Sequence, residues 1–306
     1  MMPRSEKNYE IRQGVIILIY YEVLERAITY IEENLCNEVS AEDVAVSTGY
    51  SRCHLTRLFL AVLGESLSNY IIKRRMTIAA KDLLDTDKRV IDIAIEIGFQ
   101  SSEAFSRAFK VIYGVSPVNY RKKRQDLFIG SKKIMEPELI RHIDKNITKK
   151  PRIEFMQEMN IAGLRGEISL KNNQLPKLWD RFRRLQDQIP DPVAAERVLG
   201  VCDTDLSVYD EDGNVMFRHI VGTAVSKFEN TPGMFVKKTL KAGRYAVFTH
   251  TGCLSQLEKT YDYIWGTWLL STKEKLDSRA DFELYDHRFR GFDSPDTQID
   301  IYIPIQ

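Results

Sequence analysis

One pattern of residues occurs twice in the first half of this chain of 306 residues, and the copies lie fifty positions apart. The matched pairs are Leu55 and Phe105, Arg57 and Arg107, Phe59 and Phe109, Gly64 and Gly114, Ser66 and Ser116, Asn69 and Asn119, and Tyr70 and Tyr120. Just upstream the spacing is forty-nine, with Asp43, Ala45, Gly49 and Tyr50 matching Asp92, Ala94, Gly98 and Phe99. A repeat of this length predicts two copies of one supersecondary unit.

Each copy predicts two short helices joined by a tight turn. The first copy begins with the helix-capping sequence SAED, and its first helix ends at Gly49. A second helix is predicted at residues 51–63, with apolar side chains on one face and polar ones on the other. The second copy repeats this plan at residues 90–97 and 101–113. Both copies therefore predict helix-turn-helix units, with Leu55, Phe59, Phe105 and Phe109 in their cores.

The segment between the copies is rich in Ala, lacks Gly and Pro, and predicts a single connecting helix. At 1.5 Å per residue, a helix of about fifteen residues is roughly 22 Å long. That length suits two units placed in successive major grooves of one DNA duplex. One chain could then bind two grooves without forming a dimer.

The local charge supports a nucleic-acid partner for this region. The whole chain has a formal charge of +1, but residues 51–126 hold 14 Lys and Arg against 8 Asp and Glu. A basic region of this kind favours a polyanion such as double-stranded DNA. A duplicated helical bundle with a solvated basic face and no nucleic acid remains the alternative.

The four cysteines limit the redox and metal chemistry that the sequence predicts. Cys36, Cys53, Cys202 and Cys253 are scattered and form no CxxC pair, so the sequence predicts neither zinc sites nor disulfides. We therefore expect a reduced, cytoplasmic protein without metal or cofactor. The most apolar run, residues 15–21, is too short to span a bilayer, so no membrane partner is expected.

The second copy carries a specific family motif. Residues 22–124, and above all IAIEIGFQSSEAFSRAFKVIYGVSPVNYRK at residues 93–122, resemble the DNA-binding domain of AraC/XylS-type transcription regulators. The resemblance implies that the second helix of each unit enters a major groove. It implies these DNA-facing residues: Arg52, Cys53, Thr56 and Arg57, then Ser102, Glu103, Ser106 and Arg107. Relatives carry a large aromatic residue at the position of Cys53, so the first unit departs from the family there.

The residue types suit those roles. Arg can bond guanine O6 and N7 together, Ser and Thr can bond base edges or phosphates, and Glu can accept from cytosine N4. Further basic residues are predicted to contact the phosphate backbone, which positions a protein without specifying sequence. They are Arg74, Arg75, Arg121 and Lys122.

The second half of the chain has a different pattern. After a basic connector, predicted at residues 127–151, the chain alternates strands and helices. An extended segment with Gly163 and Gly166 as predicted bulge or turn positions precedes an amphipathic helix, then strands at about 197–203 and 215–226 around an Asp-Gly turn. A second strand, helix and strand-pair series follows. Two such series predict an α+β domain with pseudo-twofold symmetry.

Residues 152–306 resemble the GyrI-like domains that bind small molecules, built from tandem SHS2 units. The resemblance rests on AGLRG, LKAGRYAVFTHTG, FELYDHRF and QIDIYIPI. It implies that Glu283 is an acidic residue in an aromatic pocket, where it would favour a cationic or amphiphilic ligand. Strand alternation predicts Tyr285 on the same side and Phe282 and Leu284 on the other. Further pocket candidates are Trp179, Tyr245, Trp265 and Trp268, although such aromatics also serve as core.

Together these features predict a multidomain regulator. The expected domains are an all-α DNA-binding domain at residues 1–126, the connector, and an α+β effector-binding domain at 152–306. The order resembles that of Rob-type regulators, which implies an activator that contacts RNA polymerase. The alternative is enzymatic, because some GyrI-like domains hydrolyse small electrophiles with a Glu, here Glu283, as general base. The sequence contains no GxSxG, HExxH, P-loop or GxGxxG motif, which favours a regulator that is not an enzyme.

Overall fold

The computed structural model describes residues 4–37, 39–123, 131–169, 174–209 and 215–306. The chain forms two compact units. The helical unit comprises Met1–Lys145 together with Glu258–Thr272, and the sheet unit comprises Asn146–Leu257 and Lys273–Gln306. None of the helices in the described ranges combines the length and apolar content that a bilayer span requires.

The helical unit contains the duplicated segment. Its α-helices are α1 (Arg4–Asn34), α2 (Ala41–Thr48), α3 (Arg52–Leu63), α4 (Leu67–Asp85), α5 (Val90–Glu96), α6 (Ser102–Tyr113), α7 (Pro117–Lys123) and α8 (Pro137–Lys145). The pairs α2 with α3 and α5 with α6 are the two predicted helix-turn-helix units, and α4 is the predicted connecting helix. With 19 residues, α4 is about 28 Å long.

Much of the sequence repeat consists of helix-capping signals. Four serines accept a hydrogen bond from a backbone N–H three residues later, at the starts of α3, α4, α6 and α7; they are Ser51, Ser66, Ser101 and Ser116. Gly64 and Gly114 end α3 and α6 with φ of 75° and 73°. An L-amino acid with a side chain adopts such angles at a cost, so glycine is favoured at these two positions.

The predicted core residues of both units are fully buried. Leu55, Phe59, Phe105 and Phe109 are each 0% exposed. Phe109 lies 5.3 Å from Tyr120, measured between ring centroids, in an edge-to-face contact. Each such side chain contributes about 1.5–3 kcal/mol by leaving water, so these contacts hold the two helix pairs together.

The helical unit also incorporates a short segment from late in the chain. Glu258–Thr272 contains most of α10 (Leu257–Tyr263) and one π-helical turn, Ile264–Trp268. Glu65 is 2% exposed and is paired with the ammonium groups of Lys73, at 2.8 Å, and Lys132. Lys73 also donates to the carbonyl of Thr267 at 3.1 Å and to Ser271 Oγ at 2.7 Å. Burial lowers the pKa of Lys132 to about 8, against the effect of Glu65.

The sheet unit is built on one antiparallel sheet of eight strands. They are β1 (Arg152–Met156), β2 (Met159–Ser169), β3 (Val198–Tyr209), β4 (Val215–Val225), β5 (Val236–Leu240), β6 (Gly243–Thr251), β7 (Phe282–Tyr285) and β8 (Gln298–Ile305). Their order is β1-β6-β8-β7-β3-β4-β2-β5. The trio β2, β4, β3 thus mirrors the trio β6, β8, β7, and the two meet where β3 pairs with β7. This is the predicted tandem α+β arrangement; most of the predicted Asp-Gly turn lies outside the described residues.

Helix α9 (Leu175–Leu185) packs on one face of the sheet, with Leu178, Trp179 and Phe182 in the hydrophobic cluster there. Neighbouring atoms of β4 and α9 approach Gly163 and Gly166 closely. A Cβ at Gly163 would fall 2.3 Å from the carbonyl oxygen of Val221, and one at Gly166 would fall 2.9 Å from Leu178 Cδ2. The β2–β4 pairing runs without interruption through both glycines. The predicted bulge or turn is therefore wrong: these glycines permit close packing of a regular strand.

Part of the predicted basic connector is structured. Within residues 127–151, helix α8 buries Leu139, Ile140 and Ile143 in the helical unit. Lys132 is 1% exposed. The basic composition of this segment did not indicate these buried positions. Long basic side chains can bury their apolar stems or pair with acids, so charge alone does not predict exposure.

Candidate DNA-binding surface and effector site

The candidate recognition helices α3 and α6 present matched polar faces. On α3, Arg52, Cys53 and Arg57 are exposed and Thr56 is half-buried. On α6, the corresponding surface consists of exposed Glu103 and Arg107 with half-buried Ser102 and Ser106. The sequence-predicted residues of each helix therefore share one accessible face, opposite the phenylalanines of the core.

Arg74 has a different position from the one predicted. It is 8% exposed, and its guanidinium donates to both carboxylate oxygens of Glu32 at 2.8 Å and to the carbonyl of Lys132. Burial acts to lower the pKa of Arg74, but the hydrogen bonds and the negative charge of Glu32 hold that pKa above its usual value. Its burial and its bonds to Glu32 and Lys132 inside the helical unit do not favour the predicted phosphate contact of Arg74.

Arg75 and Arg121 are also committed to intramolecular bonds. Arg75 donates to the carbonyls of Leu35 at 3.0 Å and Asn37 at 2.6 Å, just beyond the end of α1. Arg121 donates to the carbonyls of Leu83 at 3.0 Å and Lys88 at 2.7 Å. Both satisfy backbone carbonyls near helix ends. Lys122, in contrast, is exposed to solvent.

The candidate effector site is centred on Glu283 in β7. Glu283 is 6% exposed, and its carboxylate accepts a hydrogen bond from Tyr285 Oη at 2.6 Å. The Tyr285 ring lies 4.5 Å from the ring of Trp179, between centroids, in an edge-to-face contact. Burial raises the pKa of Tyr285 well above its ordinary value, and the charge of Glu283 adds to this. The structure therefore brings together Glu283, Tyr285 and Trp179.

The strand alternation around Glu283 is as predicted. Phe282 and Leu284 belong to the hydrophobic cluster on the other face of the sheet. Beside Tyr285 and Trp179 lies a pocket of about 300 Å³, whose lining also includes Arg183, Val198 and Phe289. Arg183 lies 5.9 Å from the centroid of the Phe289 ring, within cation–π range.

The other predicted pocket aromatics lie elsewhere. Tyr245 is 0% exposed and packs against Phe282, at 5.5 Å between ring centroids, in the cluster on the face opposite Trp179. Trp265 and Trp268 belong to the helical unit through the segment Glu258–Thr272. Within the sheet unit, Tyr245 is a core residue rather than a neighbour of Glu283.

Sequence reasoning missed three residues near Glu283. Gly200 pairs with Glu283 across β3 and β7. His219 of β4 is 9% exposed, and burial lowers its pKa, against the effect of Glu283. Burial raises the pKa of Asp281 to about 7, and Glu283 contributes to the increase against a backbone hydrogen bond. A glycine within the strand sequence VLGVC was the available signal for a close approach.

Comparison with known proteins gives a family match for each half of the chain. Residues 44–123 match a helix-turn-helix domain model, and residues 152–305 match the model of the integron-associated effector binding protein family, called Cass2. The chain is 40% identical over 99 residues to the HTH-type transcriptional activator AarP of Providencia stuartii, covering 32% of this chain and 73% of AarP. It is 32% identical over 104 residues to the regulatory protein SoxS of Escherichia coli K12, covering 34% of this chain and 97% of SoxS.

A longer relative matches only in part. The HTH-type transcriptional regulator YbfP of Bacillus subtilis is 41% identical over 104 residues, which cover 34% of this chain and 35% of YbfP. The chain therefore spans about a third of the length of that relative.

These matches, with the duplicated helix-turn-helix units, define a class of DNA-binding regulators. The chain belongs to the AraC-type transcriptional regulators and carries an effector-binding domain of the integron-associated, GyrI-like kind. It is a DNA-binding transcription regulator with a small-molecule-sensing domain, and its relatives AarP and SoxS are named as a transcriptional activator and a regulatory protein.

Proposed function

We propose that a single copy of this chain binds two successive major grooves of a promoter through α3 and α6. The main support is the repetition of an exposed polar face, including Arg57 and Arg107, on two identically capped helices. A continuous helix of 19 residues, α4, connects the two units. Recognition helices placed one helical turn apart contact sites separated by about 10 base pairs.

Footprinting under conditions where the protein is monomeric tests this arrangement. We expect two protected windows, about 10 base pairs apart, on a site selected from random DNA. Substituting the polar face of one helix should abolish protection of one window and leave the other weakened but visible. One protected window for the unaltered protein would contradict the proposal.

We further propose that the effector is a cationic, amphiphilic small molecule bound beside Glu283. The observation that carries this is a nearly buried carboxylate beside the rings of Tyr285 and Trp179. A buried carboxylate is stabilised by a partner of opposite charge, and aromatic rings attract cations and cover apolar surface. A neutral ligand would gain the apolar contacts but not the charge pairing.

The variant Glu283→Gln tests the charge pairing. It keeps the shape of the side chain and removes its negative charge. We expect affinity for a cationic probe to fall by about tenfold or more, while affinity for a neutral probe of the same shape changes little. Isothermal titration calorimetry with both probes measures this, and equal changes would contradict the assigned role.

The regulatory output is proposed from the relatives. AarP is named as a transcriptional activator, and we propose that this chain also activates transcription, through contact with RNA polymerase, at promoters in the cytoplasmic nucleoid. We propose that the effector is bound and released unchanged. Hydrolysis of a small electrophile that is lost in Glu283→Gln would contradict this and favour an enzyme.

A further inference from the structure

His219 lies close to Glu283 on the same face of the sheet. The strands β4, β3 and β7 are adjacent, and Gly200 of β3 is paired with Glu283 of β7. A Cβ built on Gly200 would fall 2.9 Å from His219 Nε2 and 3.1 Å from Glu283 Oε2. The absence of a side chain at Gly200 therefore lets both polar atoms approach the same point above the β3 backbone.

The imidazole of His219 is buried with one nitrogen unsatisfied. Nε2 has no hydrogen-bond partner among the residues that the structure describes. Buried polar atoms in native proteins are normally hydrogen-bonded, and an exception needs a specific reason. A group that arrives with a ligand would remove the cost of this unsatisfied atom.

We propose that His219 contacts the effector beside Glu283, and that the cationic group of the effector carries N–H bonds, as a protonated amine, amidine or guanidine does. This inference rests on the proposed function, because it specifies the ligand of the same site. A cation held near Gly200 donates one hydrogen bond to Glu283 and another to His219 Nε2. A quaternary ammonium or phosphonium has no N–H and leaves Nε2 unsatisfied.

The ionisation of His219 agrees with this role. Burial lowers its pKa, which favours the neutral ring near neutral pH. A neutral imidazole carries its single proton on either nitrogen, and the other nitrogen accepts. A ligand that donates to Nε2 therefore selects the tautomer protonated at Nδ1 and adds no second positive charge to the site.

Two probes that share a naphthylmethyl group and a single positive charge test the proposal on the full chain. They are 2-naphthylmethylammonium, which has three N–H bonds, and its trimethylated analogue, which has none. We expect His219→Phe to weaken binding of the primary ammonium about tenfold, the usual effect of losing one hydrogen bond to a charged group. Binding of the trimethylated probe should change less than about twofold. His219→Gln retains an acceptor and should recover part of the loss.

A third variant, Gly200→Ala, keeps both polar groups but places a Cβ 2.9 Å from His219 Nε2, which pushes the imidazole away from its position beside Glu283. The backbone of Gly200 does not adopt a left-handed angle, so alanine adds no backbone strain there. We expect weaker binding of the primary ammonium probe in this variant. The melting temperature and the affinity for neutral 2-ethylnaphthalene, which has no hydrogen-bond donor, serve as controls for folding and pocket integrity.

The outcomes separate this inference from the proposed function. Equal losses for both probes in His219→Phe, or unchanged binding in His219→Phe or Gly200→Ala, would overturn the role of His219 while leaving cation binding by Glu283 intact. Unchanged binding of both cations in Glu283→Gln would instead remove the proposed function itself.

Discussion

At the scale of single residues, Arg57 and Arg107 are exposed at matching positions of α3 and α6. We expect Arg107→Ala to weaken binding to the specific site by about 1–3 kcal/mol and to leave random DNA nearly unaffected. Arg57→Ala is the matched control and should relax preference at the other window. Fluorescence anisotropy with specific and random duplexes measures both.

Lys122 gives the contrasting case, because it is exposed but lies outside α3 and α6. Lys122→Ala should weaken binding to all duplexes alike and reduce the salt dependence, as expected of a phosphate contact. If Arg107→Ala behaved in the same way as Lys122→Ala, Arg107 would be a phosphate contact and not a base contact.

Asp281 gives the sheet unit a predictable response to pH. Its folded-state pKa is raised to about 7, so its protonated form is favoured by folding. Below about pH 4 the carboxyl is protonated in both the folded and the unfolded chain, and it costs no stability. As pH rises to about 7 the unfolded chain ionises while the folded chain stays neutral, so the free energy of unfolding falls. We therefore expect Asp281→Asn to raise the melting temperature relative to the unaltered chain by several degrees above pH 7 and by less near pH 4. A pH-independent difference in differential scanning calorimetry would contradict this.

At the scale of helices and strands, Gly64 and Gly114 offer a paired experiment. Both end a helix at a left-handed angle, so alanine costs about 1–2 kcal/mol at either position. A Cβ at Gly64 would also lie 2.8 Å from Oη of Tyr263, which is buried, whereas no described atom lies within 4 Å of a Cβ at Gly114. We expect Gly64→Ala to lower the free energy of unfolding by about 1 kcal/mol more than Gly114→Ala does. Urea unfolding compares them, and equal losses would argue against the Tyr263 contact.

The elements that could be predicted from sequence are those specified locally. Helices α3 and α6 depend on apolar residues three and four positions apart and on serine and glycine caps, which the sequence displays directly. Glu283 and Tyr285 were placed on one side of a strand by alternation alone. Arg74 could not be placed, because its partner Glu32 lies 42 positions away. His219 was missed for the same reason: only the order β4-β3-β7 brings it beside Glu283.

At the scale of the whole molecule, the helical unit is discontinuous in sequence. A fragment of residues 1–145 lacks Glu258–Thr272 and so loses the Thr267 and Ser271 partners of Lys73. Buried charges left without partners are costly. We expect the fragment to show weaker hydrogen-exchange protection of the α3 and α4 amides than the full chain, with partial recovery when a 258–272 peptide is added. Equal protection in the fragment would show that the segment contributes little.

The same discontinuity orders events during synthesis. The last residues of the helical unit are made 127 positions after Lys145, and at about 5–20 residues per second a ribosome needs roughly 6–25 s to reach them. During that interval the helical unit lacks its last segment, Glu258–Thr272. A newly made regulator thus completes its DNA-binding half only once most of its sensor has been synthesised.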